Sequence, residues 1–97
     1  MTYHPQPIDT SNVALPDDII GLTELLARNT HENWSLLRMS EGWIYGNHRD
    51  EIKKKHPCLI PYEDLPEAEK DYDRQTAIET LKLIIACGYE IKKKSGG

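Results

Sequence analysis

Apolar positions along this chain fall into two helical patterns separated by a shorter extended one. From Pro16 to about Glu41, Ile19, Leu22, Leu25, Leu26, Leu36 and Leu37 recur at helical spacing and share one broad face. Pro16 suits the first helical position, Asp17 and Asp18 suit the positive end of the macrodipole, and Gly42 suits the stop. The spacing predicts a helix over 16–41, with the leucine stripe as its core face and Gly21 as its weak point. Asn29 and Asn33 lie on that stripe and are expected to bond buried backbone. A second helix is predicted over 66–87. Pro66 opens it, Glu67 and Glu69 sit in its first turn, Ala77, Ile78, Leu81, Ile84 and Ile85 form its apolar face, and Gly88 ends it. Between the helices, Trp43-Ile44-Tyr45 reads as a short strand whose aromatic residues pack inward. Glu51 to His56 reads as a charged connector, Pro57 to Tyr62 as extended chain, and Tyr89-Glu90-Ile91 alternates as a strand does. Residues 1–15 form an extended lead-in that belongs to the domain over 16–91, and 92–97 a flexible tail.

The first helix has a second face that is also unlike a solvated one. His31, Trp34 and Arg38 lie within about 60° of one another on the helical wheel, and Ile20 and Ala27 extend the strip. Trp34 has two readings, a core residue beside the lead-in or a platform for a ring or partner, since indole stacks well on bases. Arg49, Lys53, Lys54, Lys55 and His56 make a local basic patch, either a solvated connector or a site for phosphate or an acidic partner. Arg74 falls on the apolar face of the second helix. It needs a carboxylate there, with Glu32 and Glu41 as candidates, unless its stem packs and its head reaches water.

Composition narrows the classes. At 97 residues, 38% hydrophobic and 29% charged, the chain makes one soluble domain with a modest core. The formal net charge of −4 weighs against a general nucleic-acid binder. No apolar run approaches the ~20 residues of a membrane span, and the N-terminus lacks the apolar segment of a secretory signal. Cys58 and Cys87, without CxxC spacing, fit reduced thiols in a cytoplasmic protein.

Several ordered motifs carry a family resemblance. They are His31-Glu32-Asn33-Trp34, Glu41 to Gly46, Arg49-Asp50, His56 to Tyr62, Leu65-Pro66-Glu67, Glu69-Lys70, and Glu79 to Lys82 with Gly88-Tyr89. Together with Pro5 to Thr10 and Leu15-Pro16, they resemble the RyR domain, the repeat of ryanodine receptors, over about residues 3–91. The resemblance implies an α+β fold, mainly α, with two antiparallel helices packed on short β-strands. It implies a stand-alone single repeat of the prokaryotic or viral kind and no channel. In the channels, paired repeats form a cleft that accepts adenine nucleotides and drug-like molecules, lined by the tryptophan that matches Trp34.

No catalytic pattern accompanies these motifs. His31-Glu32 begins like HExxH, but position 35 is Ser, so the second zinc ligand is missing. There is no triad, P-loop or dinucleotide fingerprint. The chain is expected to be a non-enzymatic recognition module without a cofactor or metal. Its candidate ligand-binding residues are His31, Trp34, Arg38, Arg49 and His56, and its candidate ligand is small and anionic or adenine-nucleotide-like. The alternative is a protein–protein interaction module using the same face. A homodimer with Trp34 of each copy walling a shared cleft would restore the two-sided arrangement of the paired repeats.

Overall fold

A computed structural model describes residues 2–95, so Met1 of the lead-in and Gly96 and Gly97 of the tail lie outside the described residues. The element order is α1 (Asp17–Ile20), α2 (Thr23–Ser40), β1 (Ile44–Tyr45), β2 (Lys55–His56), a 3-10 turn (Tyr62–Asp64) and α3 (Glu67–Ala86). The fold is mainly helical, with one small parallel sheet. The helix expected over 16–41 is interrupted at Gly21–Leu22, where glycine is the poorest helix former apart from proline. Thr23 Oγ1 donates to the Ile20 carbonyl across the break at 2.6 Å.

α2 ends in a Schellman turn. Trp43 N–H donates to the Arg38 carbonyl and Gly42 N–H to that of Met39, with Gly42 at φ +93°. The turn delivers Trp43 into the interior, where it is buried as expected. β1 then pairs in parallel with β2, Ile44 opposite Lys55 and Tyr45 opposite His56. The link between them is tightened by Asp50, whose backbone exchanges two hydrogen bonds with Lys55 and whose Oδ1 accepts from the N–H groups of Ile52 and Lys53. Gly46 is required there, since a Cβ would come within 2.7 Å of the Lys55 Cβ. The charged connector expected at Glu51–His56 therefore contains a strand. Conversely, Tyr89–Ile91 is not a strand, and Ile44 and Tyr45 are exposed rather than packed.

The largest departure from the sequence reading is the orientation of α2. Leu25, Leu36 and Leu37 are 59%, 68% and 66% exposed, and Leu22 is exposed as well, while Ala27 is fully buried and His31 is 4% exposed. The inward face carries Thr23, Ala27, Thr30, His31, Trp34 and Arg38. The physical reason lies in the Pro57–Leu65 segment. Tyr62 and Leu65 pack against Ala27, with Cys58 and Ile60 alongside, and only a methyl side chain admits so close an approach. His31 Nε2 donates to the Ile60 carbonyl at 2.7 Å and ties that segment to the helix. Asn29 and Asn33 are exposed on the leucine face and do not serve buried backbone. On α3, Ala77, Leu81 and Ile85 are half-buried, whereas Ile84 is exposed.

α2 and α3 pack on each other, and Arg74 joins them. Its guanidinium donates to Glu24, to Glu67 at 3.0 Å and to Asp71 at 2.7 Å. A carboxylate partner was expected; the partners are these three rather than Glu32 or Glu41. Tyr62 Oη donates to the same Glu24 carboxylate at 3.1 Å. The lead-in lies along α3, where Thr10 is buried and its hydroxyl donates to Glu79 at 2.7 Å.

Candidate functional site

Four of the five candidate residues meet at one place. His31 and Trp34, one turn apart on the inward face of α2, stack with ring centroids 5.6 Å apart. His56, at the end of β2, sets its ring edge-on to the indole at 4.9 Å. The Nδ1 of His56 accepts the Cys58 N–H at 3.0 Å, which orients the imidazole. Arg38, one further turn along α2, places its guanidinium over both Trp34 and Trp43, at 5.9 and 5.0 Å from the ring centroids. Trp34 is therefore half-buried with His31, His56 and Arg38 of its own chain around it. Arg49 stands apart in the β1–β2 link, exposed and paired with Glu51 at 2.6 Å.

The basic patch does not act as one surface. Lys54 donates to the Glu41 carbonyl at the end of α2, and Lys55 packs over Gly46 within the sheet.

Beside Trp34 is a pocket of about 230 Å³. His31, Trp34, His56, Cys58 and Leu65 form one side of its lining, and Glu69, Tyr72 and Asp73 of α3 complete it. The α3 residues were not among the candidates. Their signal in the sequence is a polar and aromatic set at i, i+3 and i+4, which puts them on one helix face. Asp73 is half-buried, and burial raises its carboxyl above the ordinary aspartate range, partly offset by His31. Burial lowers His56, and the positive charges of Arg49 and Arg38 lower it further. Burial raises the Cys58 thiol, and the charges of Glu69 and Asp73 act in the same direction. Among the described residues, neither Glu69 nor Asp73 forms an ion pair with a basic side chain.

The pocket thus lies between charges of opposite sign: Arg38 and Arg49, outside its lining, act on His56, and two carboxylates line the α3 side. Among the described residues, no cluster of three His, Cys, Asp or Glu side chains is placed to hold a metal ion. No helix among them is long and apolar enough to cross a membrane.

The model of the RyR domain family matches residues 3–93, which includes every element of the fold and the whole lining of the pocket. A match over nearly the full chain settles the family, and the chain belongs to the RyR-domain family.

Proposed function

We propose that this RyR domain is a non-enzymatic recognition module whose reading site is the pocket between Trp34, His56 and α3. The ligand class that fits its lining best is a cationic group, the guanidinium or ammonium of a partner protein's arginine or lysine. The observation that carries this is the half-buried Asp73 carboxylate, without an ion-pair partner among the described residues, lining one pocket with Glu69, Trp34 and Tyr72. A cation there meets two negative charges beside the exposed Tyr72 ring. The reading places α2 and α3 antiparallel, supported by Glu24 meeting Arg74 while Trp34 shares the pocket with Glu69.

The anionic or nucleotide-like ligand finds less support in the same lining. The volume falls below the ~300–1,000 Å³ of ordinary small-molecule sites, the Trp34 indole already has His31 stacked on it and the Arg38 guanidinium over it, and two carboxylates oppose a phosphate. Its favourable ground is the Arg38–Arg49 side alone.

Thermal shift with N-acetyl-arginine amide and with AMP separates the two, because a ligand of the native state raises the melting temperature. The arginine derivative is expected to stabilise the wild type and to lose that effect in Asp73→Asn and Glu69→Gln. Stabilisation by AMP that is lost in Arg38→Ala but kept in Asp73→Asn would replace the cationic reading with the anionic one.

A further inference from the structure

The face of α2 that turns away from the core is apolar and has an internal symmetry. Leu22, Leu25, Leu26, Leu36 and Leu37 form its margins, Asn29 and Asn33 sit at its middle, and no charged residue falls within the stripe. Leu25 and Leu37 lie six residues on either side of His31, Leu26 and Leu36 five residues, and Asn29 and Asn33 two residues. Angular positions about the helix axis follow the same rule, so the stripe maps onto itself when the helix is reversed about a two-fold axis at the level of residue 31. Leu22 opposite Ser40 is the one unlike pair. His31 itself points the opposite way, into the core.

We infer that this face is a self-association surface, occupied by the same face of a second copy running antiparallel. In that arrangement Leu25 meets the partner copy's position 37, Leu26 meets position 36, and Asn29 meets position 33. In isologous pairing the same patch serves both copies, and here every level sets leucine against leucine or amide against amide except Leu22 opposite Ser40. The asparagines suit the centre because each amide is both donor and acceptor. They also fix register, since a slip of the antiparallel pair by one turn would leave amides against leucine, which is how a polar residue in a helical seam selects one pairing. The reading pocket lies on the opposite side of α2, so both copies keep it open, and the pairing does not depend on what that pocket binds.

Size sets the strength. α2 is 18 residues long, about 27 Å at 1.5 Å per residue. Two such faces bury an area at the low end of specific interfaces, below ~1,200 Å² in total, the class of weak and reversible complexes. The dimer should therefore form with rising concentration rather than persist on dilution.

The test is sedimentation velocity from micromolar to millimolar protein, with far-UV circular dichroism to check folding. All substituted positions are solvent-exposed, so each variant is expected to fold. Wild type should shift from monomer to dimer across the range. Leu36→Glu should stay monomeric, as should Asn29→Lys/Asn33→Lys, which sets like charges against each other. Asn29→Lys/Asn33→Glu should still dimerise, because antiparallel pairing brings lysine to glutamate, whereas parallel pairing would bring lysine to lysine. A wild type that stays monomeric overturns the inference and leaves the face to a different protein. So does a dimer that survives in Leu36→Glu, or a Lys/Glu variant that is folded but monomeric.

Discussion

The inverted orientation of α2 makes a quantitative prediction that no reading based on leucine spacing would make. Three substitutions test it: Leu36→Ala on the outward face, and Ala27→Leu and Leu65→Ala on the inward one. Leu36 is 68% exposed, so it gains about a third of the ~1.5–3 kcal/mol that full burial of a leucine provides. Alanine returns a few tenths through its better helix propensity. The expected net loss is about 0.5 kcal/mol. Ala27 is fully buried against Tyr62 and Leu65, so three extra carbons have nowhere to go, and overpacking costs ~1–3 kcal/mol. Leu65 is 5% exposed, and its truncation leaves a cavity costing ~2–5 kcal/mol. Urea denaturation in dilute solution, where the α2 faces are unpaired, measures all three. In thermal melts each kcal/mol corresponds to about 4–8 °C for a domain of this size. A loss above about 2 kcal/mol for Leu36→Ala, together with a neutral Ala27→Leu, would refute the packing and restore the leucine stripe to the core.

Three further outcomes follow from individual contacts. His31→Ala removes the donor to the Ile60 carbonyl and should cost ~1–3 kcal/mol, with faster amide exchange across 57–62; unchanged exchange there would show that the segment holds itself. His56 is lowered in the folded state, so the unfolded chain binds protons first. Its contribution is fully present above the unfolded pKa of ~6.5 and is lost as pH falls through the folded value, so melting temperature should drop on mild acidification and drop less in His56→Asn. Arg74 holds the Glu24 and Glu67 carboxyls below the ordinary range, a contribution present above ~4.5 and lost as pH falls further; Arg74→Met should reduce both the neutral-pH melting temperature and its steepness in acid.

Much of the fold was legible from residues with one conformational role. Pro16, Pro66, Gly42 and Gly88 mark helix ends because proline lacks a donor and glycine alone readily takes the positive φ of the closing turn. Trp43 was assigned to the interior, and the turn at Gly42 carries it there. The face of α2 was misread because hydrophobic count was taken for burial. Its inward residues are small or polar, and they are buried because a distant segment with a bondable carbonyl packs on them. That information resides in Ile60 and Tyr62, not in α2. The site was half visible for the same reason. His31, Trp34 and Arg38 advertise themselves by helical spacing, and His56 joins them through a strand pairing that its charged neighbours concealed. Glu69 read as an ordinary first-turn acid, and Tyr72 and Asp73 gain meaning only once α3 is placed against Trp34.

The chain's two tryptophans give the most direct test of the recognition site. In ¹⁵N-labelled protein each contributes one indole N–H resonance. Trp34 lines the pocket, whereas Trp43 is buried. On titration with N-acetyl-arginine amide, the Trp34 indole resonance and the Asp73 amide should shift together and saturably, the Trp43 resonance should stay in place, and Asp73→Asn should abolish the response. A Trp34 resonance that stays still while Arg38 and Arg49 respond to AMP would contradict the assignment of the pocket.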